Sequence, residues 1–155
     1  MNVTEFTSSN DYVPTRFNIK NFQTKEELRL LEILLLRNLR GKRTQQQMSL
    51  LLKNKFNIYG KWESGAKILT WKDLTTILQL KKIVIADFFA DTYKILDTSA
   101  KAESLTLLKH FFDFYFFKDI SAFADYLDVT DSKARRMLKD ESPVPASVIL
   151  KLLVY

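Results

Sequence analysis

Residues 43 to 65 read RTQQQMSLLLKNKFNIYGKWESG, and the parsing of this stretch decides the fold. Thr44 is a natural helix N-cap with Gln47 three residues on, the spacing of a capping box. The run that follows makes a short helix carrying Met48, Leu51 and Leu52 inward. Asn54 interrupts it. A second short helix over residues 56 to 63 places Tyr59 in an apolar slot and Trp62 as a core anchor, and Gly65 ends it as a left-handed cap. Two short helices separated by a three- to four-residue break form a unit that lets one helix protrude while its partner lies across it.

Working outward, Leu28, Leu31, Leu34, Leu35 and Leu39 recur at intervals of three and four, the period of a helix with one buried stripe. Downstream, Thr70 caps WKDLTTILQL, and residues 84 to 96 supply another amphipathic run. Residues 97 to 103, DTSAKAE, are small and polar with no periodic apolar face, as expected of a linker. The pattern then restarts with LTLLKHFFDFYFF, a short helix capped by Asp119, another capped by Thr130 or Asp131, and a last one opened by Pro145. Clean strand alternation is absent throughout. The expectation is an all-α protein of two small helical modules: an N-terminal arm over residues 1–24, one module over 25–97 and a second over 98–155.

The composition agrees. The 155 residues are 46% hydrophobic and 27% charged, with three Gly and three Pro, a globular chain poor in tight turns. With no Cys and one His, disulfides, thiol nucleophiles and multi-His metal centres are beyond this chain alone. Lys and Arg outnumber Asp and Glu by 24 to 18; residues 1–97 hold sixteen basic and ten acidic side chains, residues 98–155 eight of each. The positive excess therefore belongs to the first module, where it suits a phosphate backbone. The first twenty residues lack a secretory apolar run, and charges interrupt every long apolar segment, so a cytoplasmic location is expected.

The stretch 43–65 resembles, without gaps, the helix-turn-helix of the lambda-repressor-like (Xre) regulators, whose pattern runs L-T-Q-x-x-L-A-x-x-L-G-V-S-x-x-x-I-S-x-W-E-x-G. Thr44, Gln45, Met48, Ser49, Leu52, Tyr59, Trp62, Glu63 and Gly65 carry the match. The resemblance implies sequence-specific binding of double-stranded DNA by a transcriptional regulator, without a cofactor or enzymatic activity, its second short helix entering the major groove. Carried over by position, Lys55, Phe56, Asn57 and Lys61 would contact bases: Asn can pair with adenine, Lys with guanine acceptors, and Phe can touch a thymine methyl. Arg40, Lys42, Arg43, Thr44, Gln45, Lys67 and Lys72 would contact phosphates. The resemblance also implies that an Arg of the first helix, Arg37 or Arg40, holds Glu63. Two departures stand out. Lys53 and Asn54 occupy the turn where the family has Gly, and Asn tolerates the left-handed conformation better, which would shift the turn by one residue. Gly60 costs about 1 kcal/mol in helix propensity, acceptable where the backbone lies close to something.

A divergent second copy is expected at residues 119–145, with Phe123, Ala124, Leu127, Val129, Ala134 and Met137 in the apolar slots and Asp128 at the turn. Ser132, Lys133, Arg136 and Lys139 are its candidate DNA contacts. The six carboxylates Asp119, Asp125, Asp128, Asp131, Asp140 and Glu141 repel phosphates, so a protein-facing role stays open. The aromatic segment Phe111 to Phe117 is either a core helix packed on both sides or a homodimer interface. The rival to DNA binding is a protein–protein adaptor or antitoxin-like module that keeps the fold. The carboxylate pairs Asp87/Asp91 and Asp125/Asp128 are expected on polar helix faces, and a membrane-surface role is disfavoured because the first helix is needed for the core.

Overall fold

Capping chemistry sets most of the helix starts. The structure, a computed structural model, describes residues 17–83 and 104–155. After a 3-10 turn at Ile19–Asn21, α1 spans Lys25–Arg40, α2 Gln45–Leu51, α3 Ile58–Ser64 and α4 Trp71–Leu80. Past the undescribed stretch come α5 (Ser104–Phe114), α6 (Ile120–Leu127), α7 (Asp131–Leu138) and α8 (Ala146–Leu152). Among the described residues the architecture is all-helical. The expected helix at 84–96 and the linker at 97–103 lie outside them.

Thr24 and Thr44 close reciprocal capping boxes with Glu27 and Gln47, while Thr70, Asp119 and Thr130 each accept a backbone N–H three residues on. Each such cap contributes about 1 kcal/mol. At the other end of α2, Lys53 N donates to Leu50 O and Asn54 N to Ser49 O, both at 2.9 Å, with Lys53 in the left-handed region at φ 58°. This is a Schellman closure. The left-handed residue is thus Lys53, at the family's Gly position, and not Asn54. Asn54 instead turns its carboxamide oxygen to the Phe56 N–H at 2.9 Å, and that Asx-type turn fixes it in an ordinary conformation.

Seventy-five residues downstream the same local geometry recurs. Asp119 stands at the N-cap where Thr44 does, Asp128 takes φ 57° where Lys53 does, and Asp140 takes φ 59° where Gly65 takes 85°. Val129 N donates to Ala124 O just as Asn54 N does to Ser49 O. In both places the paired helices, α2 with α3 and α6 with α7, pack on each other. The difference is in the connection: α7 starts two residues earlier than α3 in this register.

The core is one connected cluster. Leu31, Leu35, Leu36 and Leu39 of α1, Met48 of α2, Tyr59 of α3, and Trp71 and Ile77 of α4 are all buried, together with Phe123, Ala134 and Met137 of the later helices. Helix α8 joins the two halves, contacting α1, α4, α5 and α6 and burying Ala146, Val148, Ile149, Leu150 and Leu152. The chain leading into α8 pairs with the chain leading into α4: an antiparallel bridge links Thr70 and Pro145, Trp71 N donates to Val144 O, and Ala146 N donates to Leu69 O, each at 2.9 Å. Ile19, within the segment read as an arm, is fully buried, so the core takes in part of it. Lys81 is buried too; its ammonium donates to Leu39 O at 2.6 Å, serving the C-terminal carbonyls of α1, and burial pulls its pKa down to about 8.

Candidate nucleic-acid interface

Between Glu32 and Asp73 the sequence holds nine Lys or Arg residues and a single acidic one, Glu63. The fold removes that carboxylate from the surface. Glu63 is 4% exposed at its side chain and sits under Arg40, whose Nε and Nη2 donate to its two oxygens at 2.9 and 3.1 Å. Such a bidentate pair matches the planar guanidinium to the carboxylate. Gln45 Nε2 donates to the same carboxylate at 3.2 Å, and Arg37 Nε lies 3.7 Å away from it. Of the two arginines considered for this role, Arg40 makes the bidentate contact; Arg37 stays mostly exposed. The α2–α3 unit is left with Lys42, Lys53, Lys55 and Lys61 exposed and no exposed acidic side chain of its own.

Beneath that face, Ser49 locks α2 to α3. It is fully buried, receives the Tyr59 N–H at 3.0 Å, and its hydroxyl lies 2.9 Å from Gln45 O and 3.2 Å from Asn57 Oδ1. Tyr59 is buried with its hydroxyl donating to Leu36 O, and burial pushes its pKa well above the ordinary phenol value. Trp62 packs edge-on against Tyr59, and Arg29 of α1 donates to Trp62 O.

Gly60 explains itself here. A Cβ at that position would come within 2.5 Å of Asn57 Nδ2 and 2.8 Å of Gln45 Oε1, so a larger residue would displace two amide side chains, one of them the cap of α3.

The residues expected to contact bases divide into two groups. Lys55, Phe56 and Lys61 are exposed, Phe56 to 76%. Asn57 is not inside the helix but is its N-cap, left-handed at φ 51°, with Oδ1 accepting the Gly60 N–H at 3.3 Å and the amide half-buried. Helix α3 therefore starts at Ile58, two residues later than the apolar pattern suggests, because the side chain of Asn57 satisfies a donor that a continuing helix would have used.

Of the residues expected on phosphates, Lys42, Thr44, Lys67 and Lys72 are exposed. Arg43 and Gln45 are half-buried; Arg40 and Gln45 are tied to Glu63, and Arg40 Nη1 also donates to Arg43 O at 3.1 Å. Lys53, not singled out from the pattern, is exposed beside Lys55 and extends the cationic strip.

In the second unit Ser132, Arg136 and Lys139 are exposed, while Lys133 is half-buried with its ammonium donating to Ser142 Oγ at 2.8 Å. Asp119, Asp125, Asp128, Asp140 and Glu141 are exposed around them. The aromatic segment splits by face: Phe111 and Phe116 are buried, whereas Phe114, Tyr115 and Phe117 are exposed, Phe117 to 83%.

No helix among the described residues is long and apolar enough to cross a membrane. No family model, curated protein or solved structure matches the chain.

Proposed function

We propose that the chain is a sequence-specific double-stranded DNA-binding protein, a transcriptional regulator of the lambda-repressor-like helix-turn-helix kind. The observation that carries this reading is the burial of Glu63 under Arg40, which leaves no exposed carboxylate between Glu32 and Asp73. Affinity would come from Lys42, Lys53, Lys67 and Lys72 on phosphates. Lys55 and Lys61 would reach guanine acceptors, and Phe56 at the exposed tip a thymine methyl. Asn57 serves this face by setting where α3 begins, and Arg40 and Gln45 by holding Glu63 down. The α6–α7 unit, ringed by exposed carboxylates, faces protein rather than phosphate. Exposed Phe114, Tyr115 and Phe117 suit a homodimer contact; a dimer would place half-sites about 34 Å apart or at a multiple of that.

Selection of bound sequences from random duplex DNA, followed by titration across salt, tests this. A regulator enriches one motif and loses affinity steeply as salt rises, and Lys61→Glu removes the preference while the protein stays folded. Failure to enrich any motif with folded protein sinks the reading. The rival, a protein–protein adaptor, draws on one observation: Leu50, Leu51 and Phe56, all on this unit, are exposed apolar side chains.

A further inference from the structure

A cleft of about 380 Å³ is walled by α1, the chain after α3, the turn between α6 and α7, and α8. Its volume falls in the range of small-molecule sites, which favour junctions between structural units. Leu28, Leu127, Val129 and Val148 form an apolar wall, and Ile68, 66% exposed, stands at its lip.

The charged side chains around it do not balance. Four cations line the cleft, Lys25, Arg29, Lys67 and Lys151, against two carboxylates, Glu32 and Asp128. Each carboxylate already faces a cation: Asp128 lies 3.6 Å from Lys25, and Glu32 lies 3.6 Å from Arg29. That leaves Lys67 and Lys151 with no carboxylate within ion-pair distance among the described residues; Lys151 rests 5.1 Å over the Tyr126 ring. We propose that this cleft binds a small amphipathic carboxylate, its hydrocarbon body against the apolar wall and its anionic head between Lys67 and Lys151.

The buried floor is compatible with an anion. Burial of Glu32 lifts its pKa to about 7 against the pull of Arg29, so near neutral pH the floor carries at most a partial negative charge. The cleft draws its walls from both halves of the chain, so an occupant would touch α1, α8 and the loop that follows α3 together. Lys67 is shared with the phosphate contacts proposed above, but octanoate binding is read without DNA, so the two readings fail separately.

Calorimetric titration of the full chain with sodium octanoate, octanol and octylamine tests it. Octanoate is expected to bind saturably and raise the thermal midpoint, with octanol and octylamine at least tenfold weaker. Lys67→Glu and Lys151→Glu should each lower octanoate affinity at least tenfold; Lys67 is exposed, so its variant decides the matter if the other fails to fold. No saturable octanoate binding, equal binding of octanol, preference for octylamine, or unchanged affinity in Lys67→Glu would each overturn the assignment.

Discussion

Lys53 holds a left-handed conformation that a side chain with a Cβ adopts at a cost of about 1 kcal/mol, and it does so because the Schellman closure of α2 demands it. Lys53→Gly is therefore expected to raise stability by about 1 kcal/mol and the thermal midpoint by a few degrees, measured by calorimetric unfolding. Glu32 makes the second residue-scale prediction. Its folded pKa of about 7 stands above the ordinary 4.5, so the folded state binds the proton more tightly than the unfolded one. The resulting stabilisation is complete below about pH 4.5, declines as pH rises toward 7 and is gone above it. Glu32→Gln should thus gain on the wild type between pH 5 and 8, by an amount on the order of a few kcal/mol for such a shift. Urea unfolding at several pH values reads this directly; a constant difference across the range would contradict the burial argument.

At the scale of elements, the solvent side of α2 and the tip before α3 mix two kinds of surface, cations and the apolar Leu50 and Phe56. Under the proposed DNA reading, Phe56→Ser should alter the base preference at one position and Leu50→Ser should not, while both should leave the salt dependence of DNA binding intact, since neither residue carries charge. Loss of salt dependence in those variants would mean that the cations do not face phosphate. Much of this element structure was legible: the caps at Thr44, Thr70, Asp119 and Thr130 and the left-handed Gly65 follow from side chains acting on backbone a few residues away, and such short-range chemistry is written locally. What was not legible depended on partners distant in sequence. Leu36 is fully buried while Leu34 is only half-buried, because α1 meets both α3 and α8 and a single stripe cannot describe a helix packed on two sides. Leu51, expected inward, is exposed, and Asn57 caps α3 rather than standing within it. The candidate face was readable as a run of cations, but the sinking of Glu63 under Arg40 required the register of α1 against α3, which periodicity alone does not supply.

Over the whole molecule, α8 buries Val148, Ile149, Leu150 and Leu152 together, and its polar residues, Ser147 and Lys151, line the cleft. A helix so largely apolar must be mostly enclosed, and here helices from both halves pack on it. Unfolding of the full chain is expected to be one cooperative transition by circular dichroism and by tryptophan fluorescence, which reports on Trp62 and Trp71 in the first half. A chain ending at residue 143 should lose the first-half fluorescence signature along with the second, because Leu69 and Trp71 lose their backbone partners and α1 and α4 lose the surface they pack on. Retention of a folded first half in that truncation would show that α8 merely decorates it.

The position of α8 in chain order also governs when folding can happen. Translation delivers the other described helices first, and until the residues around Pro145 clear the ribosomal tunnel, the leucines of α1 and the tryptophan of α4 wait without their cover. Such a nascent chain presents apolar surface for the several seconds needed to synthesise it, so chains that stop before α8 are expected to aggregate.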